Sequence, residues 1–135
     1  MRRWVFLLLC LAGPAFGQTP ADRRAIQGTI AGQIEAFKHD DAPAAFGFAA
    51  PAVHDKFPTA EIFMDIVRRA YQPVYRPRSV VYGSATALGD HVLQRVEVVG
   101  PDGRAYQALY YMIQGTDGVW RIDACELTET AAVGA

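Results

Sequence analysis

The fold of this chain is decided by residues 100–127, which read GPDGRAYQALYYMIQGTDGVWRIDACEL. An Asp-Gly pair occurs twice, at 102–103 and at 117–118, and each pair precedes a run rich in apolar residues. Glycine tolerates the positive φ that tight turns between antiparallel strands require. The stretch therefore predicts two antiparallel strands, at 104–114 and 119–127, in one small sheet.

Two further strands are predicted upstream, at 78–88 and 91–99, with Gly89-Asp90 as the hairpin turn between them. The strand at 104–114 carries apolar side chains on both faces. Tyr106, Ala108, Tyr110 and Met112 point one way, and Leu109, Tyr111 and Ile113 point the other. Helices cover one face of such a sheet, so we expect the other to pack on a second copy, giving a homodimer through the sheet.

The N-terminal half predicts helices. Apolar residues share one face of residues 18–41: Ile26, Ile30, Ile34 and Phe37. Gly28 and Gly32 lie in the same segment, each at a cost of about 1 kcal/mol in a helix interior. They either form a smooth strip for a close neighbour or are simply tolerated. Asp41 suits the N-cap of a second, short helix.

Pro51 should end that second helix, and residues 51–58 should be irregular or a short strand. Thr59 suits the N-cap of a third helix, which Pro73 should stop, with 74–77 extended. The predicted fold class is α+β, with three N-terminal helices packed on a curved four-stranded antiparallel sheet.

Residues 1–17 have the pattern of a secretory signal peptide, with a basic start, an apolar run and small residues at Ala15 and Gly17. We expect cleavage after Gly17, export to the periplasm or the exterior, and a single domain at 18–135. Cleavage leaves 11 of the 13 basic side chains beside 14 acidic ones. That balance is unsuited to nucleic acid, and we expect no membrane association after cleavage.

The order of elements and three short runs carry a resemblance to known proteins. The runs are AYQPVYRPRS at 70–79, GPDG at 100–103 and WRIDAC at 120–125. With them the chain resembles exported bacterial proteins of domain of unknown function family 4864, and more widely the nuclear transport factor 2-like proteins with a cone-shaped fold. The resemblance implies a ligand pocket between helices and sheet. It implies no activity.

A basic and aromatic cluster follows the third predicted helix: Tyr71, Tyr75, Arg76 and Arg78. Arginine offers a two-pronged fork to carboxylates and phosphates, and tyrosine has a polar tip, so the cluster could hold an anion. The alternative is structural, with the arginines placed at a helix end where cations are favoured.

Three residues are candidates for catalysis: Asp123, Tyr110 and Cys125. A carboxylate in a pocket can act as a general acid or base, and its structural alternative is an ion pair with Arg95, Arg104 or Arg121. Alternation would place Asp123 and Cys125 on the same face as Arg121. Cys125 could be a nucleophile or a small buried apolar residue.

The sequence favours a binding or interaction module without catalysis, for a small hydrophobic or anionic ligand. Alternatives are a small acid–base enzyme of the ketosteroid isomerase or dehydratase type and a structural subunit without a pocket. We expect no metal and no cofactor. The expected lining comprises Phe48, Phe63, Tyr106, Tyr110, Trp120 and Ile122, with the arginine cluster at the mouth.

Overall fold

Helices and strands occupy separate halves of the chain. The computed structural model describes residues 19–130, so the expected signal peptide lies outside the described residues. The helices are α1 (Pro20–Lys38), α2 (Ala42–Gly47), α3 (Pro51–Lys56), α4 (Ala60–Ala70) and α5 (Gln72–Tyr75). The strands are β1 (Ser79–Leu88), β2 (His91–Val99), β3 (Ala105–Gln114) and β4 (Trp120–Glu129). Within 19–130, no helix is both long and apolar enough to cross a bilayer.

Side-chain caps start α1, α2 and α4. Thr19, Asp41 and Thr59 each accept a hydrogen bond from the backbone N–H three residues further on, at 2.9, 3.2 and 3.1 Å. Such caps satisfy donors that the first helical turn leaves unpaired. The three helices expected from sequence are thereby confirmed, with α1 slightly shorter than the predicted 18–41.

Two short helices were not expected. Residues 51–58 were predicted to be irregular or a strand, and 74–77 to be extended, but α3 spans Pro51–Lys56 and α5 spans Gln72–Tyr75, so that only 76–77 of the second segment are free of helix. Pro51 and Pro73 each stand in the first turn of a new helix, where the missing N–H has no intrahelical partner to lose. Each proline therefore belongs to the start of a helix that follows the earlier one by a few residues, and the expectation was wrong because it treated proline only as a helix stop.

The four strands form an antiparallel sheet with the order β1-β2-β3-β4, as the turn pattern predicts. Its inner face, defined here as the face toward the helices, carries buried side chains that join the core of α1 and α4. They include Val92, Val96, Val98, Ala108, Tyr110 and Met112. The outer face carries the alternate residues of each strand, and the α+β class is confirmed.

The corners at either end of β3 are built alike. Gly103 and Gly118 adopt φ of 82° and 83°, where a side chain would be strained. In each corner the aspartate just before that glycine accepts a hydrogen bond from the N–H two residues on, at 2.9 Å for Asp102 and 3.0 Å for Asp117. Each aspartate also binds the side chain four residues on, Tyr106 or Arg121.

A β-bulge interrupts the pairing of β3 with β4. Met112 pairs with Ile122 and Tyr111 pairs with Ala124, which leaves Asp123 as the extra residue. Because directly opposite residues point to the same face, Cys125 joins Tyr110 on the inner face. The expectation that Cys125 shares a face with Arg121 is therefore wrong, since simple alternation fails across the extra residue.

The edge of β4 is partly covered by the segment between α2 and α3. The Ala50 N–H donates to Ile122 O at 2.8 Å, and the Ile122 N–H donates to Phe48 O at 3.0 Å. The Phe48 ring packs on Gly32, where an added Cβ would lie 2.6 Å from the ring, whereas a Cβ at Gly28 would meet nothing within 4 Å. One glycine of the pair thus admits an aromatic ring, and the other has no such neighbour.

Candidate functional site

An apolar cavity of about 180 Å³ lies between the inner face of β3 and β4 and helices α1, α3 and α4. Aromatic and aliphatic side chains from all five elements supply most of its wall. The bordering residues are Gln33, Phe37, Ala49, Val53, Lys56, Phe57, Phe63, Ile66, Val67, Tyr71, Val74, Tyr110, Ile122, Asp123, Ala124 and Cys125. A mainly apolar concave site with few polar groups is typical of small-molecule binding sites.

Tyr110 is the principal polar group of the wall. The residue is 1% exposed, and its hydroxyl makes no hydrogen bond of ordinary geometry among residues 19–130, although it interacts with the neighbouring Cys125 thiol. Burial raises the pKa of Tyr110 well above its ordinary value, so the hydroxyl keeps its proton. A buried hydroxyl without a partner is costly, and native proteins rarely keep one without a reason.

Gln94 is the cross-strand neighbour of Tyr110 on β2 and is also fully buried. Its Nε2 donates to the carbonyl oxygens of Gly83 at 3.1 Å and Arg95 at 2.9 Å, which fixes the orientation of the amide. Its Oε1 has no partner among residues 19–130. Gln94, Tyr110 and Cys125 therefore form a polar row across an otherwise apolar inner face.

Cys125 borders the cavity beside Tyr110 and is free of any disulfide. Burial raises the pKa of the Cys125 thiol to about 12. The thiolate is the nucleophilic form, so a thiol with this pKa is inert near neutral pH. Tyr71, at the end of α4, is half-buried at the same wall, and burial raises its pKa as well.

Asp123 borders the cavity, but its carboxylate binds His91 on the outer face, with Oδ2 2.7 Å from His91 Nε2. The partner is thus His91 and none of the three arginines considered from sequence. The other ring nitrogen, Nδ1, lies 2.9 Å from Asp90 Oδ1. The hydrogen bond that His91 donates to Asp123 is the main cause that raises the pKa of His91, because both ring nitrogens donate only in the charged imidazolium.

In the arginine and tyrosine cluster, Tyr75 and Arg76 form hydrogen bonds to other residues of this chain. Asp40, which has a left-handed backbone with φ of 53°, accepts hydrogen bonds from the Tyr75 hydroxyl and from Arg76 Nη2, the latter at 3.2 Å. Arg76 also donates to Phe37 O, and Arg68 lies 4.0 Å from Asp40. The Tyr75 hydrogen bond is the main cause that lowers the pKa of Asp40. These contacts fasten α5 to the end of α1.

The structure brings together some of the predicted site residues and separates others. Tyr71, Phe63, Tyr110, Ile122, Asp123 and Cys125 border the cavity, whereas Tyr75, Arg76, Arg78, Phe48, Tyr106 and Trp120 do not. Arg78 instead donates to Pro101 O at 2.8 Å, and Trp120 accepts a bond from Thr29 through its carbonyl. Apart from Tyr71, the cluster therefore lies away from this cavity.

Helix α3 contributes wall residues that sequence reasoning missed, namely Val53, Lys56 and Phe57. Their spacing of three and four is a helical signal, but it becomes visible only once Pro51 is taken as a helix start. Among residues 19–130, no group of three or more His, Cys, Asp or Glu side chains is arranged to hold a metal ion.

Comparison with known proteins identifies the family. The family model described as Domain of unknown function (DUF4864) matches residues 19–135. The chain belongs to this family. The match spans α1 to β4, so every element that borders the cavity lies within the DUF4864 domain. No curated protein matches this DUF4864 chain.

Proposed function

We propose that this protein is a non-catalytic binding module that holds a small, mainly apolar molecule between its helices and its sheet. The observation that carries the proposal is the mainly apolar cavity of about 180 Å³, bordered by Tyr110, whose hydroxyl is buried and makes no hydrogen bond of ordinary geometry among residues 19–130. A ligand oxygen that displaces the side chains covering this hydroxyl would satisfy it.

The size of the cavity sets the scale of the ligand. An engineered apolar cavity of about 150 Å³ in another protein binds benzene. A cavity of about 180 Å³ accommodates one ring, or a short branched chain, with a small polar substituent. Because the cavity is partly open to solvent, a larger molecule could bind with part of it outside the cavity.

Two probes with the same ring test the proposal. Benzyl alcohol carries a hydroxyl that toluene lacks, and a site built around a hydrogen-bonding group discriminates against an analogue without it. We expect the protein to bind benzyl alcohol more tightly than toluene in NMR titrations, with shifts at Tyr110 and Cys125. We expect Tyr110→Phe to lose this preference.

Tyr106→Phe is the matched control, because Tyr106 lies on the same strand but its hydroxyl donates to Asp102 at 2.8 Å, away from the cavity. It should leave the preference unchanged. Absence of binding by both probes, or equal effects of the two substitutions, would contradict the proposal. Native mass spectrometry of protein purified from an exporting host gives an independent readout, namely a retained small molecule.

The acid–base enzyme has less support. The carboxylate of Asp123 is engaged by His91 on the outer face, and both Tyr110 and Cys125 hold their protons strongly. An acid–base catalyst works best with a pKa near the operating pH. A structural subunit with a filled core is also disfavoured, because it would contain no such cavity.

Dimer formation and export belong to the same proposal. The outer face exposes Leu88 at 52% and Val81 at 59% on β1, and it also carries partly buried Leu109 and Ile113 on β3. We propose that a second copy covers it. Sedimentation equilibrium should give a dimer for the wild type and a monomer for Leu109→Lys, and a wild-type monomer at micromolar concentration would refute the pairing. Export is tested by N-terminal sequencing of secreted protein, which should begin at Gln18 if cleavage follows Gly17.

A further inference from the structure

We propose that the ligand of this cavity is a small organic monoanion, whose carboxylate pairs with Lys56 at the rim while its mainly apolar body, which carries the oxygen proposed to meet Tyr110, fills the interior. The inference rests on the proposed binding function and adds the charge of the ligand to it. It follows from the charges that border the cavity.

Lys56 and Asp123 are the charged residues of the wall. The Asp123 carboxylate is engaged by His91, since its Oδ2 lies 2.7 Å from His91 Nε2. The hydrogen bonds of the His91 ring to Asp123 and Asp90 raise the pKa of His91. Lys56, in contrast, forms no ion pair within residues 19–130, so it is the charged side chain of the wall that is left to pair with a ligand.

The position of Lys56 suits an amphipathic ligand. Lys56 is the last residue of α3 and is exposed, while the next residue, Phe57, is partly buried on the wall. A lysine can lay its aliphatic stem along apolar surface and keep the ammonium in water. A ligand with its apolar part inside and its carboxylate at the rim therefore keeps both charges hydrated, which avoids the large cost of burying an ion.

The effect of this charge on affinity should be modest and measurable. Solvent-exposed ion pairs contribute little, and replacing one partner changes an equilibrium constant about two- to fivefold. Because the pair is exposed, added salt should weaken it further. Lys38 provides a matched control, since it is also an exposed lysine at the C-terminal end of a helix, but it lies on α1 beside Glu35 at 4.0 Å, away from the cavity.

Benzoate, benzamide and toluene are the probes, in calorimetric or NMR titrations of the purified protein at low ionic strength and neutral pH. Benzoate and benzamide share size and shape but differ in charge. We expect the wild type to bind benzoate about two- to fivefold more tightly than benzamide. Lys56→Gln should abolish the difference, Lys56→Glu should reverse it, and Lys38→Gln should leave it intact.

The outcomes separate the two proposals. Equal binding of benzoate and benzamide by the wild type, or an unchanged preference in Lys56→Glu, overturns the anionic ligand while the binding function stands. Failure of all three probes to bind overturns both. Loss of the preference in Lys38→Gln as well as in Lys56→Gln would assign it to the net charge of the protein and overturn the role of Lys56.

Discussion

Replacing Tyr110 by phenylalanine should make the ligand-free protein more stable. The substitution removes a buried hydroxyl that makes no hydrogen bond of ordinary geometry among residues 19–130 and leaves the ring in place. An unsatisfied buried polar group costs about 1–3 kcal/mol, whereas the lost dispersion contacts of one oxygen amount to a few tenths. The expected net gain is about 1–2 kcal/mol in the free energy of unfolding, or a rise of about 3–8 °C in Tm for a domain of this size.

The same chemical change at Tyr75 should have the opposite sign. Tyr75 is 7% exposed, and its hydroxyl donates to the Asp40 carboxylate, so Tyr75→Phe removes a bond that links α5 to the end of α1. Urea unfolding followed by circular dichroism at 222 nm would give the free energy of unfolding of both variants. The slope of that free energy against urea concentration should be equal for the two if their unfolded states are comparable. A destabilised Tyr110→Phe protein would refute the reasoning, because it would mean that the hydroxyl is satisfied in solution.

Three further predictions follow from single contacts. Gly28→Ala should raise the free energy of unfolding by up to about 1 kcal/mol. Gly32→Ala should be less stable than Gly28→Ala by about 1–3 kcal/mol, because only a methyl group at position 32 meets the Phe48 ring. Equal urea midpoints for the two variants would contradict this. Because the pKa of His91 is raised in the folded protein, its contribution to stability is fully present below about pH 6.5 and is lost as pH rises through the pKa of the folded state. The free energy of unfolding of the wild type should therefore fall between about pH 6.5 and 9, and His91→Gln should show a smaller fall. With a pKa of about 12, Cys125 should have a thiolate fraction about a thousandfold below that of an ordinary thiol, and mass spectrometry should show alkylation by iodoacetamide at pH 8 only after unfolding in urea.

The sheet was predictable because its signals are local. The alternation of apolar residues and the glycines of the turns are both encoded within a few positions, and β1 to β4 lie within two residues of their predicted bounds. The assignment of Tyr110 and Ile122 to a pocket wall followed from the same alternation. Simple alternation does not reveal the extra residue at Asp123, so it could not predict that Cys125 lies on the inner face.

The remaining contacts depend on tertiary structure. Asp40 contacts Tyr75 and Arg76 only because α5 folds back on the end of α1, and the sequence of neither segment predicts this contact. His91 reaches Asp123 across β3, at a separation of 32 residues. Such partners are set by the register of three strands together, so a list of charged neighbours along the chain could not identify them.

The two Asp-Gly corners that flank β3 have the same backbone hydrogen-bond pattern. Each closes on its own backbone and on a side chain four residues away, with hydrogen bonds of matching length. Exchanging Pro101 with Thr116 should therefore leave the sheet intact, whereas a bulkier residue at either positive-φ glycine should damage only its own end. The ends of β3 are thus set by two corners with the same backbone hydrogen-bond pattern.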